Sequence, residues 1–130
     1  MNGAGNWAAI SSLVAKNGSG SHTAVGGNIT IAHGLGVTPK LVRISAYARK
    51  SSGVDLESNG AYNGTTNSCA YRYYNSGGST DGIGNSTTRI IYLDEGINTA
   101  AFTATMDSTN ITLTANSDGK DFNYEWEAIG

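Results

Sequence analysis

The chain has 130 residues, enough for one domain that buries roughly two-thirds of its unfolded surface. Only 14% of them are charged and the net charge is −2, which leaves no basic footprint for nucleic acid or an anionic membrane. Cys69 stands alone, which excludes an intrachain disulfide, and the 59 Gly, Ser, Thr and Asn residues favour a polar, particle-surface or extracellular β protein over a helical one.

Residues 1–27 read as a Gly/Asn/Ser-rich arm around one apolar island, Trp7 to Ala15. Trp7, Ile10, Leu13 and Val14 fall at helical spacing, with Asn6 placed to cap and Asn17-Gly18 to stop. Ala8, Ile10, Ser12 and Val14 also alternate as a strand would, so both types stay open. An arm this short cannot bury its own apolar residues. These four are therefore predicted to anchor on the domain or on a neighbour. No basic segment or long apolar core precedes Lys16, which predicts neither a signal peptide nor a transmembrane span.

From Asn28 onward the pattern is β, and residues 28–130 are predicted as one antiparallel β-sandwich of seven or eight strands. Ile29 to Ile44 holds two strand-like runs around a corner, His33-Gly34-Leu35-Gly36 followed by Thr38-Pro39. Gly34 and Gly36 tolerate positive φ, while Pro39 fixes its own φ and holds Thr38 extended. Leu41–Arg49 alternates Val42, Ile44, Ala46 and Ala48 against Arg43, Ser45 and Tyr47. Ser51–Gly64 and Asn75–Asn85 are polar and read as long loops, the second with four glycines in eleven residues. Between them, Ser68–Asn75 reads as a Tyr-rich strand. Thr87–Asp94 and Thr99–Met106 follow as strands around a Glu95-Gly96 turn, then Asp107–Asn110 turns into Ile111–Ala115. Asp118-Gly119 is a two-residue hairpin signal before a last strand with Phe122, Tyr124, Trp126 and Ala128 on one face.

Chemistry is sparse along this frame. His22 and His33 lack further ligands at metal spacing, and no cofactor motif is present, so neither a metal nor a cofactor is expected. His33 is predicted to hydrogen-bond backbone at its own corner. Glu125 and Glu127 leave one strand face about 7 Å apart, a separation inverting glycosidases use, yet no cleft residues accompany them. Asn116, Asp118 and Asp121 lack the closing Glu of a calcium loop, and the turn accounts for them. No catalytic set emerges, and the chain is not expected to be an enzyme. The binding constellation is aromatic: Tyr62, Tyr71, Tyr73 and Tyr74, followed by a polar loop through Asp81, suited to stacking on sugar rings. Tyr71 and Tyr73 share one strand face and Tyr74 the other, so part of this set is predicted to be packing.

HGLGVTPKLVRI (His33–Ile44) resembles a corner found in surface proteins of tailed bacteriophages, in head-decoration and tail-fibre domains. RIIYLDEG, FTATMDSTNITLTAN and FNYEWEAIG in the final third look similar too, so the likeness spans roughly Asn28 to Gly130. The resemblance implies a β-sandwich akin to H-type lectin-like domains, which commonly trimerise, and it implies no catalytic residues. The expected role is a virion structural protein, made in the host cytoplasm and docking as a homotrimer on a major capsid or tail protein. The rival is a tail-fibre tip that recognises cell-surface glycans.

Overall fold

The computed structural model describes residues 14–49, 55–74, 81–96 and 98–130. Among them the chain is all β, with no helix: β1 (Ala15–His22), β2 (Ile29–Ala32), β3 (Leu41–Arg49), β4 (Asp55–Tyr62), β5 (Asn67–Tyr74), β6 (Asp81–Ser86), β7 (Ile91–Asp94), β8 (Thr99–Met106), β9 (Asn110–Asp118) and β10 (Phe122–Ile129). They form one sheet in the order β1-β10-β3-β4-β5-β7-β8-β9-β2, with β6 paired to β5 off that path. Every ladder is antiparallel except a single parallel bridge, Tyr73 to Asp94. The sheet curls until β7 packs across β3 and β4, giving a nearly barrel-shaped body.

The expected alternation holds where the inward residues are large. Val42, Ile44, Ala46 and Ala48 of β3 and Phe122, Tyr124 and Ala128 of β10 are buried, opposite Ile91, Leu93, Phe102, Ile111 and Leu113. In β8, Ala101 and Phe102 are both buried because the register shifts there, leaving Asn116 of β9 as the extra residue of a bulge. The corner behaves as read: Gly34 and Gly36 take φ of 71° and 77°, and Pro39 is buried. Leu35 N–H donates to His33 Nδ1 at 3.1 Å, so the ring proton sits on Nε2 and donates to the Asp107 carbonyl at 2.9 Å. That pairing ties the β2–β3 corner to the β8–β9 turn.

Ten strands are described where the alternation pattern gives seven or eight, and the extra ones fall in three stretches that read as arm or loop. β1 lies inside residues 1–27 and pairs with β10 along its whole length, Ala15 to Ile129 through His22 to Phe122. Within Ser51–Gly64 and Asn75–Asn85, residues 55–62 form β4 and residues 81–85 lie in β6. β4 sends Leu56 into the core, but its next two inward positions, Ser58 and Gly60, are small, the glycine for a steric reason. A Cβ on Gly60 would lie 1.8 Å from the Ile90 carbonyl oxygen, so the opposite backbone occupies the space a side chain would need. Beside it, Ser58 Oγ accepts the Tyr92 N–H at 3.0 Å. Asn67 then pairs with the backbone of β8 from both its ends, accepting from Ala104 N–H at 2.7 Å and donating to the Ala104 carbonyl at 3.2 Å. These two side chains supply hydrogen bonds at the seam where β5 and β7 share only one bridge.

Asp118-Gly119 is not a hairpin. β9 lies between β8 and β2, β10 lies between β1 and β3, and the two are not neighbours. The segment instead crosses from one to the other, tied outward at each step: Gly119 N–H donates to the Thr99 carbonyl at 2.8 Å, and Asp118 reaches His22 and Gly27.

Candidate functional site

The outward residues of six strands line up in register. Ser19, Glu125, Ser45, Asn59, Ala70 and Asn85 form one unbroken row from β1 to β6. The next row carries Asn17, Glu127, Arg43, Ala61 and Ser68. Most of these side chains are short and uncharged. Where β1, β10 and β3 meet, Asn17, Ser19, Arg43, Ser45, Glu125 and Glu127 line a shallow depression of about 610 Å3. The two glutamates thus sit with a guanidinium between strands on an open face, not in a deep crevice.

The tyrosines are not gathered into one site. Tyr62 packs partly buried against the core, paired with Asn67 at the other end of β5 from Tyr73. Tyr71 and Tyr73 do share a face, with ring centroids 6.2 Å apart, and Tyr71 lies 4.5 Å from Tyr92. Both rings cover glycines of β6: a Cβ on Gly84 would fall 2.6 Å from Tyr71 Cζ, and one on Gly82 2.5 Å from Tyr73 Cζ. Tyr73 remains 38% exposed. Tyr74 pairs with Asp81 through backbone at the start of β6. Between these glycines Ile83 turns to the outer face and is 84% exposed, and among the described residues β6 pairs only with β5. An isoleucine on an unpaired edge is the largest apolar exposure on that rim.

Of the predicted anchor, Trp7, Ile10 and Leu13 lie outside the described residues. Val14 is 38% exposed, and its carbonyl accepts the Gly130 N–H at 2.9 Å, beside Leu35 and Val37 of the corner.

Two polar clusters, each built on one buried residue (His22 and Glu95), lie at the end of the body where β1, β7, β8 and β9 finish or begin. In the first, His22 Nε2 meets Asp118 Oδ1 at 2.6 Å while the ring meets Phe102 edge-to-face and Phe122 at a tilt. Asp118 Oδ2 accepts Gly27 N–H at 2.7 Å, and Asp121 Oδ1 accepts Ala24 N–H at 2.7 Å. Together they clamp residues 23–27, in which Val25 adopts φ of 64°, a left-handed conformation costly for a β-branched residue. Burial works to raise the Asp118 carboxyl, but the His22 ring and the Gly27 amide outweigh it, so the group stays below the usual carboxylate range. The other nitrogen of His22 faces Gly26, which offers no nucleophile. In the second cluster, Lys120 Nζ and Asn98 Nδ2 both donate to Glu95 Oε1, at 3.2 and 3.1 Å.

Cys69 is buried, and burial pushes its thiol up, opposed by its contacts with Ser58 and Ser86. It is a core thiol and not an activated nucleophile. Sequence reasoning missed the depression and the second cluster. The first is visible only once strand register is known, and the second joins residues of two separate turns. Comparison of the chain with protein-family models, with curated proteins and with solved structures gave no match.

Proposed function

We propose that this chain is a bacteriophage virion structural protein, a capsid decoration protein that docks as a trimer on the particle surface. In this reading the curled sheet acts as a two-layered sandwich, β1-β10-β3-β4-β5-β6 against β7-β8-β9-β2. The observation that carries it is the in-register outer row from Ser19 to Asn85, a broad face of short polar side chains suited to water or to a flat partner. The His33–Ile44 corner and its likeness to phage surface domains support the same reading. Copies meet at the β6 rim, where a neighbouring chain covers Ile83 and the free strand edge.

The anchor is tested by cutting before Val14. A cut after residue 20 would strip most of β1 from β10 and confound docking with unfolding. The full chain should sediment with particles of the encoding phage, and the chain lacking residues 1–13 should stay folded and free. Full-occupancy binding by the shortened chain contradicts the anchor.

A second reading, recognition of cell-surface glycans, is favoured by the depression around Arg43, Glu125 and Glu127, whose polar groups suit sugar hydroxyls. It predicts hits on a carbohydrate array that are lost in Arg43→Ala. A blank array for the folded wild-type chain counts against it.

A further inference from the structure

We propose that Lys120 and Asn98 join through an intramolecular amide bond, with Glu95 as the acid–base group that forms it. Glu95, just past β7, is buried together with the Lys120 side chain, their side chains 7% and 10% exposed. Both Lys120 Nζ and Asn98 Nδ2 donate to the same oxygen, Oε1, while Oε2 is buried and has no hydrogen-bond partner. For a purely structural ion pair this arrangement is poor. Two donors crowd one oxygen, the other goes unsatisfied, and the pair bears the cost of desolvation. For a reaction between the two donors it is apt, because one carboxylate oxygen, the proton carrier, holds both amine and amide within hydrogen-bond distance of itself.

The backbone holds the three in place. Glu95 N–H donates to the Asn98 carbonyl at 3.2 Å, closing the β7–β8 turn. Gly119 N–H donates to the Thr99 carbonyl at 2.8 Å, and a Cβ on Gly119 would lie 3.9 Å from Asn98 Cα, so the chain just before Lys120 rests on the chain at Asn98.

The step balances without an oxidant or co-reactant. The Lys120 ammonium passes one proton to Glu95 Oε1, and the freed Nζ electron pair adds to Asn98 Cγ as the carbonyl pair shifts to Oδ1. Glu95 hands its proton to Nδ2, the carbonyl re-forms, and the Cγ–Nδ2 bond breaks to release ammonia. Nζ then gives up a second proton, through Glu95, to the departing ammonia. One Nζ–Cγ amide is gained and one ammonium ion is lost. The bond ties the β7–β8 turn to the β9–β10 crossover and does not depend on assembly or on any partner.

The test is the intact mass of the purified full chain, followed by chymotryptic mapping. The expected mass is lower by one ammonia, with cleavage at Phe102 leaving two peptides still joined through Lys120 and Asn98. Glu95→Gln and Asn98→Ala should each restore the full mass. Asn98 is exposed, so its alanine variant keeps the test alive if the Glu95 variant fails to fold. A wild-type chain that keeps its full mass after prolonged incubation overturns the proposal. So does an ammonia loss that maps to succinimide at one of the four Asn-Gly pairs, Asn2-Gly3, Asn17-Gly18, Asn59-Gly60 or Asn63-Gly64.

Discussion

β1 and β6 use one local device to opposite ends. Each alternates glycine with small or exposed residues, and each glycine lies under an aromatic ring from the adjacent strand: Gly18 under Trp126 and Gly20 under Tyr124 on one side, Gly82 under Tyr73 and Gly84 under Tyr71 on the other. Behind the β1 rings stands the core. Tyr124 is buried beside Phe122, and His22 closes the strand end against Phe102 and Phe122. Behind Tyr71, one of the β6 rings, packs Tyr92, and among the described residues the rim leaves Tyr73 and Ile83 exposed. Among the described residues both strands are edges, each hydrogen-bonded to one neighbour, so the difference lies in what backs the rings: the core behind β1, and a solvent-facing rim beside β6. In the proposed assembly it is the β6 edge that a second copy covers.

Substitutions along the two strands sharpen this contrast. The largest effect is expected for Asp118→Ala, which strips His22 and the Gly27 amide of their acceptor at the core-backed end of β1. A loss of about 2–3 kcal/mol should appear as a lower urea midpoint with unchanged slope. Gly20→Ala comes next. Its Cβ would lie 2.3 Å from Tyr124 Oη, and a buried ring cannot swing clear, so about 2 kcal/mol should be lost. Gly84→Ala meets Tyr71 at a similar 2.6 Å, but that ring is only half buried and can shift. Its cost should stay below about 1 kcal/mol. Equal costs for the two alanines would break the comparison. Ile83→Asp, at an exposed edge, should leave stability within about 0.5 kcal/mol.

Acid gives a further handle on the core-backed end of β1. The folded Asp118 carboxyl lies below its unfolded value, so between the two values the unfolded chain binds more protons and stability rises with pH. This contribution is complete above the ordinary carboxylate range and is lost as pH falls through the lowered value. Asp118→Asn should flatten that acid limb of the stability profile. Asp107, held low by the Asn110 and Thr109 amides, keeps its own share in both proteins. An unchanged limb would mean that the His22 contact does not hold the carboxyl down.

The same contrast explains what could be read from the residues alone. β3, β8 and β10 were legible because their inward side chains are large and alternate, and the His33 corner because Gly34, Gly36 and Pro39 each have one geometric use. β4 and β6 were not: in β4 Leu56 stands isolated because Ser58 and Gly60 follow it and Gly60 faces the Ile90 backbone, and in β6 Gly82 and Gly84 lie under tyrosines of β5. Asp118-Gly119 misled because the local turn preference yields to the hydrogen bonds that Asp118 makes with residues nearly a hundred positions away. The tyrosines read as one binding set are divided by strand position and packing. The Glu95, Asn98 and Lys120 cluster was hidden because Lys120 lies 25 residues from its acceptor.

The central claim is that the β6 rim is where copies of this chain meet. Native mass spectrometry of the full wild-type chain beside Ile83→Asp tests it most directly. A wild-type trimer that becomes a folded monomer on substitution is the predicted result. A monomeric wild-type chain, or a trimer indifferent to aspartate at position 83, would contradict it.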